Sequence, residues 1–419
     1  MKRLIDSRFL LNALGLNAFG FVLVALFLGA CSQGAKKGDP PSDAWKGQMQ
    51  EMGQTLVEIY PYVVSAREFN APENRIKIQE SLTKMASLAH DVNKERGKTD
   101  LGKKMDKDPY LSVISSTLDR EIRLAVEGLK SGKRDFSRVI LKNATGMCVR
   151  CHSRGQWGPE FVDWQKEASF QRLNSIEKGD LLAAVRHYDQ AIQQYEVVLS
   201  DKQLASAEAE AWVKAGNSAL NVAVRSKQDP AVAERIVNTI LSNSNLPAYQ
   251  KTNVEEWKKA ILSWKDSKEK KSTLSPLAQA QQILKEARKN EDYWGDRGSY
   301  IHYLRASALL HDFLRTESSS SEQAQALNLL GESYEVISEM GEGDANQFYY
   351  KACIKRSPHT KVAVGCYRRL EQNLHIEFSG TGDIRMPRMA MDELRVLRDL
   401  ASPAELDPSS EGKSMFDRQ

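Results

Sequence analysis

The sequence is short of several features, and each shortage narrows the reading. No stretch alternates apolar and polar residues with the period of two that a half-buried strand needs, which disfavours β-sheet classes. No basic run with interleaved aromatics occurs, and the formal net charge is only +4 over 419 residues. That leaves no electrostatic footprint for nucleic acid, and no nucleic-acid partner is expected. Lys2, Arg3 and Arg8 against Asp6 supply +2 of that charge from the first thirty residues. Gly380-Thr381-Gly382-Asp383 lacks the rest of a phosphate-binding pattern and its strand–helix setting. Composition is otherwise ordinary for a globular chain, 41% hydrophobic and 27% charged. The length implies two or more domains.

Cysteine is scarce, at five, so each one should have a role. The first, Cys31, closes a segment with a basic start and an apolar stretch from Phe19 to Leu28, ending Leu28-Gly29-Ala30-Cys31. That is the layout of a secretory signal. A retained membrane anchor is the alternative, but the apolar core is shorter than the about 20 residues of a span, and an anchor leaves Cys31 without a role. The small pair before the cysteine resembles a bacterial lipobox. The resemblance implies cleavage before Cys31, a diacylglyceryl group on its thiol and an acylated amine. Ser32, where an Asp would favour inner-membrane retention in Gram-negative lipoproteins, implies an outer-membrane address facing the periplasm. Residues 1–30 then form the signal peptide, and 31–43 a polar tether reaching about 20 Å.

Cys148 and Cys151 belong to Cys148-Val149-Arg150-Cys151-His152, a C-x-x-C-H motif. Two thiols at this spacing can each add to one vinyl group of a single porphyrin. The adjacent imidazole then reaches the iron from one face, so the motif reads as attachment of one covalent haem c with His152 as axial ligand. C-x-x-C alone would also suit a redox dithiol or half a zinc site. Here the histidine follows directly, no second C-x-x-C exists, and the chain carries an export signal.

The residues before the motif predict four helices. Trp45, Met49, Met52, Leu56, Ile59 and Val63 make one stripe over 43–63. A second helix starts near Pro72 and carries Ile78, Leu82, Met85 and Ala89. The third is capped by Asp108-Pro109, continues through Leu111, Ile114, Leu118, Ile122, Ala125 and Leu129, and stops at Gly132. The fourth opens at Asp135 and ends in the haem motif. Four amphipathic helices with short connections make a bundle. A haem motif at the end of the fourth helix resembles the class II c-type cytochromes, the cytochrome c′ and c-556 group, over residues 44–160. One departure is visible: Gln156 stands where that family usually has an arginine, and the nearby arginine is Arg154.

The sixth iron position decides the function. Met49 with Gly53 resembles the M-x-x-x-G of low-spin class II cytochromes, which implies Met49 as ligand. The alternative is that Met49 and Met52 only fill the core. His90, at the edge of the second helix's apolar stripe, is a rival ligand or a solvated histidine. With neither, the iron is five-coordinate and open to small gases.

The second half, 161–401, also reads as helical. Gly179-Asp180-Leu181-Leu182-Ala183-Ala184 with Tyr188 and Ala191 resembles the second helix of a tetratricopeptide repeat. Leu330-Gly331-Glu332-Ser333-Tyr334 resembles the first helix of such a repeat, with Tyr349, Ala352 and Pro358 following. The expected architecture is all-α, a four-helix bundle haem domain followed by an α-solenoid, with an irregular helical domain as the alternative to the solenoid. Linkers are expected at 266–275 and 316–321, and a disordered tail at 402–419. Cys353 and Cys366 flank Ser357-Pro358-His359-Thr360 at similar distances. In an oxidising compartment they are expected to pair, adding about 3 kcal/mol; two buried free thiols are the alternative.

These features point to a membrane-anchored electron-transfer cytochrome whose helical repeats dock a redox or envelope protein partner. The alternatives are a five-coordinate haem protein binding NO or CO, and an assembly lipoprotein with a structural haem. No distal acid–base pair for a peroxidase is visible, so no enzyme activity is expected.

Overall fold

The computed structural model describes residues 43–155, 161, 165–166, 168–269, 272–289, 297–337, 345–379 and 386–402. The segments expected as signal peptide and tether up to residue 42, with Cys31, as well as Gln156, Gly380–Asp383 and the residues beyond Ser402, lie outside the described residues. All secondary structure among the described residues is helical. None of their helices is long and apolar enough to cross a membrane. Residues 39–419 form one compact unit.

The first six helices are α1 (Asp43–Val64), α2 (Ala66–Asn70), α3 (Arg75–Arg96), α4 (Asp100–Met105), α5 (Pro109–Lys130) and α6 (Arg134–His152). The four long ones match the four expected from periodicity, and α2 and α4 are short additions. Pro72 opens a 3₁₀ turn ahead of α3 rather than α3 itself. Asp108 caps α5 by accepting from the Tyr110 amide, with Pro109 in the first turn where its missing N–H costs nothing. Gly132 ends α5 with φ at 75°, a conformation that disfavours a Cβ.

Packing runs in a closed circuit: α1 on α3, α3 on α5, α5 on α6 and α6 on α1. Leu56, Ile59 and Val63 meet Ile78, Leu82 and Met85, with Ile122, Ala125, Leu141 and Ala144 completing the core, all nearly inaccessible to water. The stripes predicted on α1, α3 and α5 are therefore the buried faces, and removing them from water is the main stabilising term. On α6 the run expected from periodicity, Phe136, Ile140, Ala144 and Met147, is corrected: Phe136 is exposed, Ile140 and Met147 are half-buried, and the inward face is Ser137, Leu141, Ala144 and Thr145.

Beyond the motif come α7 (Ala168–Gln171), α8 (Ser175–Ala184), α9 (Tyr188–Ser200), α10 (Lys202–Ala207), α11 (Ala209–Asn221) and α12 (Pro230–Leu241). Then follow α13 (Ala248–Glu269), α14 (Pro276–Lys289), α15 (Tyr300–Leu314), α16 (Ser320–Ile337), α17 (Ala345–Arg356), α18 (Lys361–Ser379) and α19 (Arg388–Ala401). Most contacts here are between neighbours in sequence. The first linker expected at 266–275 is shorter than its composition suggested, because α13 runs on to Glu269. Cys353 and Cys366 are joined in a disulfide between α17 and α18.

The two repeat-like segments share a packing device. Gly179 on α8 lies under the ring of Tyr195 on α9, and Gly331 on α16 lies under Tyr350 on α17; a methyl at either glycine would collide with the ring. Each tyrosine hydroxyl then finds an acid on the opposite helix, Asp180 at 2.9 Å and Glu335 at 2.6 Å. One expectation is corrected. Gly179 to Ala191 is not a single helix: Val185 to His187 form a turn, with Arg186 at φ 66°, that splits it into α8 and α9. A run of helix-compatible residues hides such a turn, because Arg186 carries no glycine or proline signal.

Candidate functional site

Cys148, Cys151 and His152 lie on the last turn and a half of α6, all partly buried. The thiols are not bonded to each other. Burial pushes the Cys148 thiol up to about 12, helped by the neighbouring Cys151 thiol, and pushes Cys151 to about 11. A reactive dithiol needs the opposite, a thiol acidified by its surroundings. Among the described residues no group of three or more His, Cys, Asp or Glu side chains converges as a metal site.

The imidazole of His152 is fixed. Its Nδ1 donates to the backbone carbonyl of Ala184 at 2.5 Å, and its ring lies 5.6 Å from that of Phe161. Burial, with the nearby Arg186 cation, lowers its pKa to about 4, so the ring is neutral at pH 7. A neutral imidazole that donates from Nδ1 presents a lone pair at Nε2.

Two unlike environments meet at this turn. On one side, Cys148 lines a narrow apolar cavity inside the helix circuit, walled by Met52, Ile59 and Val63 of α1, Met85 of α3, Leu118 and Ile122 of α5, and Leu141, Ala144 and Thr145 of α6. The methionine of α1 that reaches this cavity is Met52. Met49 is partly buried against the core but is not among the cavity walls. His90 is also absent from them: its side chain is 53% exposed, with Nδ1 at 3.4 Å from Asp119.

On the other side lies a buried polar network. Arg154, two residues past His152, is fully buried. Its Nε donates to the Arg150 carbonyl at 3.1 Å, and its Nη1 donates to Asp108 at 3.4 Å, to His311 Nε2 at 3.3 Å and to the Tyr349 hydroxyl. The guanidinium sits 4.8 Å from the Tyr110 ring centre and 5.2 Å from that of Tyr334. His311 Nδ1 is 2.9 Å from Asp108, and Nε2 is 3.0 Å from the Tyr334 hydroxyl. Tyr349 in turn donates to Asp108 at 3.1 Å. Arg225, in a π-helical turn at Val222–Ser226, donates to the Tyr334 hydroxyl at 2.5 Å.

The electrostatics are consistent. Burial pushes the Asp108 carboxyl up, but the hydrogen bond and charge of His311 and the charge of Arg154 outweigh it and hold it at about 2. Burial pulls His311 down to about 4 against the pull of Asp108. Asp108 is thus ionised and His311 neutral, donating to Asp108 from Nδ1 and accepting at Nε2. The network ties the N-cap of α5 and the end of α6 to α15, α16 and α17, far apart in sequence.

None of this network was visible as a site in the sequence. Asp108 reads as a helix cap, which it also is, and Tyr334 and Tyr349 read as groove-filling repeat aromatics. The one pointer was Arg154, an arginine two residues past His152.

The residues fit a covalent haem on three counts. The thiols and the imidazole lie within five residues of one helix end. The cavity beside Cys148 is apolar, with an open volume of about 10 Å³, so a haem would have to part its walls. Arg186 is buried, lies 5.9 Å from the Tyr188 ring, and makes no ion pair among the described residues. Such a cation is costly to leave without a counter-charge, and a porphyrin carboxylate would supply one.

Comparison with family models, with curated proteins and with solved structures finds no match to this chain.

Proposed function

We propose that this chain is a lipid-anchored, monohaem c-type cytochrome of the bacterial cell envelope that transfers electrons, with a four-helix haem-bearing bundle joined to an α-solenoid that docks its protein partner. The observation that carries the reading is the Cys148–His152 turn, with the imidazole anchored through Nδ1 and Nε2 left to bind iron. Cys148 and Cys151 would form the thioethers, each S–H adding across a vinyl double bond with no leaving group. When bound, the haem iron supplies a one-electron ferric–ferrous couple. His152 would ligate it through Nε2. Met52 is the second ligand we assign, because it shares the cavity with Cys148 while Met49 and His90 do not. The apolar walls would exclude water, and Arg186 would balance a haem carboxylate. Lipid on Cys31 would hold the chain at the outer membrane.

The test is the absorption spectrum of the purified ferric and ferrous protein, with and without CO. Sharp α and β bands in the ferrous state, unchanged by CO, are expected. A high-spin ferrous spectrum that shifts with CO or NO would replace this reading by the five-coordinate gas-binding one. Met52→Leu should convert the low-spin spectrum to high-spin, whereas Met49→Leu and His90→Gln should leave it low-spin. Loss of the low-spin bands in Met49→Leu instead would return the ligand to Met49.

A further inference from the structure

The last carbonyls of a helix have no partner inside it. At the end of α8, three of the four find local backbone donors. The Val185 amide bonds the Leu181 carbonyl, the Arg186 amide bonds Ala183, and the His187 amide bonds Leu182. The fourth carbonyl, that of Ala184, takes the imidazole of His152 instead. The end of α6 has the same shortage. The His152 carbonyl is satisfied by the Tyr188 hydroxyl of α9 at 2.6 Å. The end of α6 therefore caps α8 through the His152 ring, and the start of α9 caps α6 through Tyr188.

This exchange depends on the turn between α8 and α9. Arg186 is held at φ 66°, a conformation that costs a non-glycine residue about 1 kcal/mol. That reversal leaves the Ala184 carbonyl pointing outward and brings Tyr188 into the first turn of α9, against the same histidine. The turn thus grips His152 twice, at its ring and at its backbone.

We propose that the α8–α9 turn is the tuning half of the haem site: the Ala184 carbonyl orients His152 and strengthens Nε2 as an electron donor, and the Tyr188 hydroxyl is the positioning group that holds this geometry. The proposal rests on the haem reading. A hydrogen bond from Nδ1–H to a carbonyl makes the other ring nitrogen more basic. The carbonyl end of α8 carries the negative pole of its helix, which acts in the same direction. A stronger donor favours ferric over ferrous iron and lowers the reduction potential. The potential is then set in part by the repeat-like half of the chain, not by the α1–α6 helices alone.

The experiment uses the full-length haem-loaded protein and two hydroxyl deletions. Tyr188→Phe removes the bond to the His152 carbonyl, together with those to Ser226 and Arg186. Tyr195→Phe removes a buried hydroxyl of the same hairpin that bonds Asp180 and Ser218. At a poise where half of the wild type is reduced, Tyr188→Phe should show at least about a threefold excess of ferrous over ferric protein, with shifted principal g values of the ferric haem by electron paramagnetic resonance. Tyr195→Phe should show neither change. Unchanged potential and g values in Tyr188→Phe would overturn the proposal, as would equal changes in Tyr195→Phe. One readout needs no variant: in ferrous wild type the His152 Nδ1 proton should exchange slowly with solvent, and fast exchange would contradict its burial against Ala184. Wild type with no covalent haem would sink the underlying reading; wild type with haem and an unmoved Tyr188→Phe would sink this proposal alone.

Discussion

The two faces of the Cys148–His152 turn are built from opposite materials. Toward Met52 and Met85 the walls are almost wholly apolar. Toward Asp108 and His311 they are charged, aromatic and hydrogen-bonded into distant helices. The apolar face is lined by aliphatic side chains and flexible methionines. The charged face cannot move without stranding a buried ion. The difference teaches a division of labour: one face can repack around Cys148, and the other locks the helix end that carries it.

The strongest way to break the comparison is to remove the anion of the charged face. Asp108→Ala strands Arg154 in the interior and deletes the cap of α5, and should destabilise by about 3–5 kcal/mol. Denaturant titration of wild type and variant measures this; a loss below about 1 kcal/mol would mean that the network locks nothing. A smaller loss, about 1–3 kcal/mol, is expected for Gly179→Ala or Gly331→Ala, where a methyl collides with a tyrosine ring. Gly365→Ala on α18, whose methyl would meet nothing within 4 Å, is the control and should not destabilise.

Acid sharpens the comparison. His311 titrates at about 4 in the folded chain against 6.5 ordinarily. Between those values the unfolded chain binds a proton that the folded chain refuses, so stability falls as pH drops through that window. Asp108 adds a second loss as pH falls from its ordinary 3.8 toward about 2, where its folded carboxylate finally protonates. The melting temperature of wild type should fall from pH 7 to pH 4.5, and less steeply in His311→Gln. Equal slopes would show that His311 is not held neutral. The smallest effect is expected at His90, half exposed beside Asp119: His90→Gln should change stability by no more than about 0.5 kcal/mol.

Much of the fold was legible. Periodicity located α1, α3 and α5 because their apolar stripes are their buried faces, and Asp108-Pro109 and Gly132 marked boundaries because caps and left-handed stops need those residue types. On α6 the helix was legible but its inward face was not, because Ser137 and Thr145 are buried and Phe136 is exposed. The disulfide followed from two cysteines placed symmetrically about a turn. The turn at Arg186 was hidden, since a left-handed arginine leaves no sequence signal. The Asp108–Arg154–His311–Tyr349 network was hidden for another reason: its partners are up to 241 residues apart, and no local pattern reports which distant polar groups will share an interior. Met49 was favoured over Met52 by motif alone. Both lie on one stripe, and only packing distinguishes which one reaches Cys148.

The central claim is that Cys148 and Cys151 hold one haem covalently. Its most direct test is the intact mass of the exported protein after acid–acetone extraction, run beside the Cys148→Ala/Cys151→Ala double variant. The account predicts that the wild type keeps the added mass of one haem and the double variant carries none. A wild-type chain that loses all haem to the solvent, or that never acquired it, would contradict the account.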